Sequence, residues 1–342
     1  MIITSTPFRI SFFGGGTDYP VWFRDHGGAV LSASINRYCY LSVRFYPPFF
    51  DNAYRIVWSK TELVNEIEEI QHPVVREAIR FIGIKGGLEI HHDGDLPART
   101  GIGSSSAFAV GILHALRILK GNQVSKERLA KDAIHLEQEM LKEHVGIQDQ
   151  IITAYGGLNL IEFDCNGAFT VRPLPISSLR KKTFEDHLML VYTGISRTAS
   201  HLAKEQIALI PTKPAVLHRM RELVNEAADL LVSERDISEF GHLLHEGWEL
   251  KRNITNRIST PLIDNLYTSA RAAGAIGGKL LGAGGGGFML LLVPPEKRQS
   301  VLDAVKNFLI VPFEIESQGS HVVLYEPDRY SQLAHVTRRF TR

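Results

Sequence analysis

Cysteine is nearly missing from this 342-residue chain, which carries only Cys39 and Cys165. Neither joins a Cys-x-x-Cys or Cys/His spacing, so a disulfide framework and a zinc module are both disfavoured. Two free, buried thiols in a reducing compartment are expected. Charge of either sign is also sparse. Asp, Glu, Lys and Arg make up 22% of the residues and leave a net charge of +1. No global field therefore recruits nucleic acid or an anionic membrane, and any anionic ligand must be held by local groups. No apolar run approaches the roughly 20 residues of a membrane span. The opening Met1-Ile2-Ile3-Thr4-Ser5 lacks the basic and apolar segments of a secretory signal. A cytoplasmic protein is the expectation, with neither nucleic acid nor membrane as partner; no pattern indicates an oligomeric state.

What the chain does have is apolar material, 44% of its residues, enough for two packed cores at this length. Strand-like runs are expected at 29–46, 54–57, 88–90, 157–163, 168–173, 188–192, 288–293, 312–316 and 321–325. Helical spacing is expected over 61–82, 104–119, 125–143, 199–209, 213–233, 235–250, 260–273 and 295–308, with Ser125 as an N-cap and Pro73 as an interruption. Pro173 to Ser178 is the best linker, so the boundary is placed near 173–185 and the domains are read as 1–177 and 178–342. Strands and helices mix without steady alternation, which argues for α+β.

The most informative stretch is Leu96-Pro97-Ala98-Arg99-Thr100-Gly101-Ile102-Gly103-Ser104-Ser105-Ser106-Ala107. Gly101 and Gly103 permit tight turns and close approach of a ligand to the main chain. The serines then open an apolar helix, whose unpaired N–H groups and positive dipole end suit phosphate. A glycine turn with a serine cap and no ligand is the plainer alternative. No lysine follows the glycines, so this is not a Walker loop, and no Gly-x-Gly-x-x-Gly follows a strand.

Pro97 through Ala107 resembles the second motif of the GHMP kinases, the group named for galactokinase, homoserine kinase, mevalonate kinase and phosphomevalonate kinase. Two further segments match in order: Pro7 to Tyr19 resembles the first motif, and Lys279 to Phe288 the third. The resemblance implies a ribosomal protein S5 domain 2-like N-terminal domain, a ferredoxin-like C-terminal domain, and ATP with Mg2+ between them. It assigns the nucleotide phosphates to Pro97, Gly101, Ile102, Gly103, Ser104, Ser105 and Ser106. Gly146-Ile147-Gln148-Asp149-Gln150 is similar to the family element whose aspartate sits beside the acceptor hydroxyl, which makes Asp149 the base and Arg9 its cationic partner. Glu137, twelve residues earlier, stands where related enzymes carry a glutamate that can meet magnesium. It is paired here with Ser105, and Glu139 and Glu143 are its rivals.

On the acceptor side the resemblance points to Gly16, Asp18, Tyr19, Gly284 and Gly285. Galactokinase-like members carry Gly-Glu-His where this chain has Gly14-Gly15-Gly16, which weighs against galactose. The glycine-rich segments together with Tyr192 to Arg197 look most like the heptose 7-phosphate kinase branch, implying a sugar or sugar phosphate as the small-molecule partner. A phosphorylated acceptor needs a second cationic pocket, for which Arg197, Lys251 and Arg252 are the choices, with ordinary surface charge as the alternative. Trp58 is read as either adenine-pocket or core. His91, His92, Asp93 and Asp95 carry metal-capable atoms, but adjacent side chains on a strand point apart.

Overall fold

The computed structural model describes residues 1–326 except 48, 197, 198 and 256. In chain order the elements are β1 (Ile2–Phe13), α1 (Pro20–His26), β2 (Gly28–Phe45), β3 (Tyr54–Val57), β4 (Thr61–Val64), α2 (Pro73–Ile82), β5 (Leu88–Gly94), α3 (Ser104–Leu119) and α4 (Lys126–Ile134). There follow α5 (Gln148–Tyr155), β6 (Leu158–Phe163), β7 (Phe169–Pro173), α6 (Ser178–His187), β8 (Leu188–Tyr192), α7 (Ala199–Leu209), α8 (Pro214–Val232) and α9 (Ile237–Arg252). The chain closes with α10 (Pro261–Ala272), β9 (Gly277–Leu280), β10 (Phe288–Leu292), α11 (Arg298–Ala304), β11 (Leu309–Val311) and β12 (His321–Tyr325).

The strands form two sheets. The larger runs β12-β1-β2-β5-β3-β4, with β6 pairing both β2 and β7; the smaller runs β11-β8-β10-β9. Pairing is antiparallel throughout except between β3 and β5. The expected α+β class is what the molecule shows. β12 comes from the end of the described chain yet lies beside β1, with Ile2 opposite Tyr325, so the first sheet draws on both ends of the sequence. No helix among the described residues is long and apolar enough to cross a membrane.

The core explains why α3 lies where it does. Ala107, Val110, Ile112 and Leu113 are fully buried, and each large aliphatic side chain so placed contributes about 1.5–3 kcal/mol. A β-carbon on Gly111 would come within 2.9 Å of Thr6 Oγ1, so the helix rests directly on β1. Thr4 Oγ1 donates to the Gly111 carbonyl at 3.1 Å. That seating fixes where the N-terminus of α3 points.

Several expected elements differ. Residues 61–82 are not one helix: Glu62 is buried and Leu63 is half exposed in β4, and α2 begins only at Pro73. The proline sits in the first helical turn, where its missing N–H costs nothing, so it starts the helix instead of interrupting it. Ser125 does cap α4, accepting from Arg128 N at 3.2 Å, but the α-helix ends at Ile134 and a π-helical turn, His135–Met140, continues it. The linker segment is short, because Ser177 caps an unforeseen helix, α6. The strand expected at 312–316 lies at Leu309–Val311, and Ile315 makes a single bridge to Ile35. The helix expected at 295–308 is a 3-10 turn, Pro295–Lys297, followed by α11. Cys39 is buried, whereas Cys165 is exposed at the β6–β7 turn and not a core thiol.

Candidate active site

The phosphate loop is built from backbone conformations that few side chains tolerate. Gly101 (φ 80°) and Gly103 (φ 72°) are left-handed, as is Arg99 (φ 63°). The turn is held by Thr100 Oγ1 donating to the Pro97 carbonyl at 2.7 Å and by Arg99 N donating to Ser104 Oγ at 3.2 Å. Gly103 then caps α3, whose first residues, Ser104, Ser105 and Ser106, line a cavity together with Gly101 and Gly103. Their N–H groups are those a helix leaves unpaired, and they are set for anionic oxygen. Pro97 and Ile102 do not line the cavity. The Pro97 carbonyl braces the turn, and the buried Ile102 carbonyl accepts from Arg9 N at 3.0 Å.

The third glycine segment packs on this loop from behind. A β-carbon on Gly282 would lie 2.4 Å from Gly101 Cα, and one on Gly287 2.2 Å from the Thr100 carbonyl oxygen. Phe288 N donates to that same oxygen at 3.2 Å. Gly284 and Gly285, expected at the acceptor, do not line the cavity. A β-carbon on Gly284 would strike the Ile258 backbone, and Gly285 N donates to the Ile258 carbonyl at 2.9 Å.

Arg9 and Asp149 meet across the cavity wall. Arg9 Nε donates to Asp149 Oδ1 at 2.7 Å and Nη2 to Oδ2 at 2.6 Å, while Nη1 donates to the Gly101 carbonyl at 2.5 Å. The fork thus ties strand β1, the first turn of α5 and the phosphate loop into one unit. Gly103 has no side chain here because a β-carbon would lie 2.9 Å from Arg9 Cγ.

Glu137 is fully buried in the π-helical turn. Ser105 Oγ donates to its Oε1 at 3.1 Å and Ser106 Oγ to its Oε2 at 2.8 Å, and Gln150 Nε2 also donates to Oε2. Burial pushes its carboxyl up to about 7, and the neighbouring Glu143 and Asp149 charges add to the rise. The turn that holds Glu137 is π-helical, a local form frequent at functional sites. Of its rivals, Glu139 is exposed and paired with Lys142; neither Glu143 nor Glu137 itself lines the cavity, but Glu137 is joined to it through Ser105 and Ser106, which do. Magnesium favours a few hard oxygens completed by waters and phosphate. A buried carboxylate beside a serine hydroxyl at a helix N-terminus fits that ion. Among the described residues no cluster of three or more His, Cys, Asp and Glu offers a fuller cage.

The cavity is also lined by Gly16, Asp18 and Tyr19 from the turn after β1, by Val145 and Gly146 before α5, and by Lys251 and Lys279. Asp18 accepts from Gly16 N at 2.9 Å. Burial raises its carboxyl, with the Gly16 N–H opposing and Asp149 adding to the rise. Gly146 must be glycine, since a β-carbon would fall 1.9 Å from Asp18 Oδ2. Burial also pushes the Tyr19 phenol up. Lys251 Nζ donates to the Leu280 carbonyl at 3.0 Å and the Gly282 carbonyl at 2.5 Å, and burial, aided by Arg9, pulls its ammonium down to about 7. Arg252, expected beside it, is elsewhere. It pairs with Glu249 at 3.1 Å and Asp264 at 2.9 Å and lies over the Trp248 ring; successive helical positions diverge by about a quarter turn. Arg197 lies outside the described residues.

Sequence reasoning overlooked Ser11, Arg99, His144, Gln148, Gln206 and Lys279, all of which line the cavity. Only Lys279 carried a signal, as a charge inside the otherwise small and apolar strand Gly277–Leu280. Trp58 does not line the cavity. Its Nε1 donates to Glu62 Oε1 at 2.8 Å, and its ring meets His72, which stacks on Phe108. His91 and His92 do point apart, the first to Glu89 and the second to Phe108.

A glycine-cradled helix start, a buried magnesium-compatible glutamate and an arginine-gripped aspartate define a phosphotransferase class, and comparison with known proteins names it. The GHMP kinase N-terminal domain model matches residues 65–157 and the GHMP kinase C-terminal model residues 221–311, together more than half the chain. The chain belongs to the GHMP kinases, ATP-dependent phosphotransferases, and has their two-domain fold. It is 28% identical over 319 residues to the D-glycero-alpha-D-manno-heptose 7-phosphate kinase of Campylobacter jejuni, covering 89% of this chain and 93% of that one. A galactokinase of Pyrococcus furiosus is 24% identical over 350 residues, covering 91% and 94%. Among solved structures, a D-glycero-D-manno-heptose 1-phosphate kinase from Bacteroides thetaiotaomicron superposes with a TM-score of 0.79 at 23% identity, over 95% of this chain and all of that one.

Proposed function

We propose that this sugar kinase uses ATP and Mg2+ to phosphorylate the anomeric hydroxyl of D-glycero-D-manno-heptose 7-phosphate, giving the 1,7-bisphosphate. The observation that carries the reading is the likeness to the Campylobacter kinase over nearly its whole length, in a chain whose Arg9–Asp149 fork sits beside the phosphate loop. The N–H groups at Gly103 to Ser106 receive the triphosphate. Glu137 and Ser105 would hold magnesium, which supplies charge neutralisation on the phosphate oxygens. Asp149 accepts the proton of the acceptor hydroxyl as its oxygen attacks the γ-phosphorus, and ADP leaves. Arg9 keeps Asp149 aligned and offsets charge developing on the transferred group. Asp18 and Tyr19 hold the sugar.

A second reading has support from one observation. Of the three cations assigned to an acceptor phosphate, Lys251 lines the cavity and Arg252 is tied into surface ion pairs. An acceptor without its own phosphate, such as fucose or another hexose, needs only the hydroxyl contacts. ADP release measured across a panel of heptoses, hexoses and their phosphates separates the two. Fastest turnover of the heptose 7-phosphate supports the first reading, and fastest turnover of an unphosphorylated hexose replaces it with the second.

A further inference from the structure

Among the described residues, two buried polar atoms at the cavity have no hydrogen-bond partner: Ser11 Oγ and Gln148 Oε1. Their residues are 6% and 8% exposed and both line the cavity, so leaving them unsatisfied costs free energy unless a ligand completes them. Ser11 lies two residues beyond Arg9 on the same face of β1. Gln148 directly precedes Asp149, and its amide nitrogen donates toward Asp18, which leaves the amide oxygen as an open acceptor. Lys279, 6% exposed, reaches the same region; its Nζ spends one N–H on the Phe12 carbonyl at 2.8 Å, and because burial, aided by Lys251 and Arg9, pulls its ammonium well below the usual lysine range, at least one N–H stays free in either form. Gly15 opens the space between them. A β-carbon there would lie 3.7 Å from Gln148 Nε2 and 3.8 Å from Ser11 Oγ, touching nothing closer.

We infer that Ser11, Gln148 and Lys279 form an acceptor subsite, kept open by the bare backbone of Gly15, that reads neighbouring hydroxyls of the sugar. The chemistry matches a vicinal diol. Each hydroxyl can donate to Gln148 Oε1 or Asp18 while accepting from Lys279 or Ser11, a pattern that an apolar acceptor cannot complete. This deepens the kinase reading by assigning hydroxyl recognition to residues separate from the Arg9–Asp149 fork, and it does not depend on the acceptor carrying a phosphate.

The test measures Michaelis constants for acceptor and for ATP separately in Ser11→Ala, Gly15→Ala and Lys279→Met, with melting temperature as the fold control. Gly15 is outside the left-handed region, so its alanine variant fills the subsite without backbone strain. Acceptors are D-glycero-D-manno-heptose with and without its 7-phosphate, plus the hexose the enzyme turns over fastest. The acceptor constant is expected to rise about 3- to 10-fold in Ser11→Ala and at least tenfold in Lys279→Met. The ATP constant should stay within about twofold, and the rise should be equal with and without the 7-phosphate. A sugar lacking the hydroxyl that Ser11 reads should show no further loss in Ser11→Ala. An unchanged acceptor constant in both Ser11→Ala and Gly15→Ala overturns the subsite, as does a matching rise for ATP. If Lys279→Met fails to fold, the other two variants decide. Should the heptose 7-phosphate not be turned over, the substrate reading fails while the subsite is judged on the hexose.

Discussion

At Asp149 both carboxylate oxygens are engaged by Arg9, at 2.7 and 2.6 Å. Asp149→Asn keeps the shape and removes the proposed proton acceptor, so turnover is expected to fall roughly 10²–10⁴-fold with ATP affinity preserved. Activity within a few-fold of the parent would exclude Asp149 as the base. Glu137→Gln should raise the magnesium concentration needed for half-maximal activity at saturating acceptor; an unchanged titration would exclude Glu137 as a ligand. Lys251 has a pH signature. Its ammonium titrates near 7 when folded and near 10.4 when unfolded. Between those values the unfolded chain binds more protons, so this group's contribution to stability rises with pH, and below about 7 the full burial cost of the charge is carried. The melting temperature of Lys251→Met minus that of the parent should therefore fall as pH rises from about 6 to 9. A pH-independent difference contradicts it. Arg9, Asp149 and Glu137 were singled out by resemblance to family motifs; the structure joins the first two in one fork and sets Glu137 on Ser105 and Ser106. Ser11 and Gln148 were not singled out, since a lone serine in a strand and an amide beside an aspartate look like ordinary hydrogen-bonding residues until the fold closes over them.

At the scale of elements, the glycine segment behind the phosphate loop does its work by lacking side chains. Gly282 (φ 70°) faces Gly101 Cα. In Gly282→Ala the left-handed backbone costs about 1–2 kcal/mol, and the added methyl has to displace the loop. Lower thermal stability and a raised Michaelis constant for ATP are expected, with the acceptor constant changed less. A variant with parental ATP affinity would show that the two loops are independent. Elements with a long, regular period, such as α3, α8 and α9, were readable from spacing alone. The stretch 61–82 was misread because Leu63, Ile67 and Ile70 mimic a helical stripe, whereas Glu62 is anchored by Trp58 Nε1 and Gln71 N and holds the chain extended. The π-helical turn that carries Glu137 was invisible for a similar reason. A π-bulge is one extra residue in a helix, and no residue type announces it.

For the whole molecule, the cavity wall draws on widely separated parts of the sequence: Arg9 and Ser11 from β1, Asp149 from α5, Lys251 from α9 and Lys279 from β9. Class and fold could be read from three ordered motifs because each supplies one wall of that cavity. The acceptor's identity could not, since it depends on how distant, individually unremarkable side chains converge. The most direct test of the account is phosphorus NMR of the product formed from ATP and D-glycero-D-manno-heptose 7-phosphate. The account predicts a second phosphomonoester whose phosphorus couples to the anomeric proton, formed in step with ADP and nearly absent with Asp149→Asn. A phosphate on any other carbon, or the same product formed at parental rate by Asp149→Asn, would contradict it.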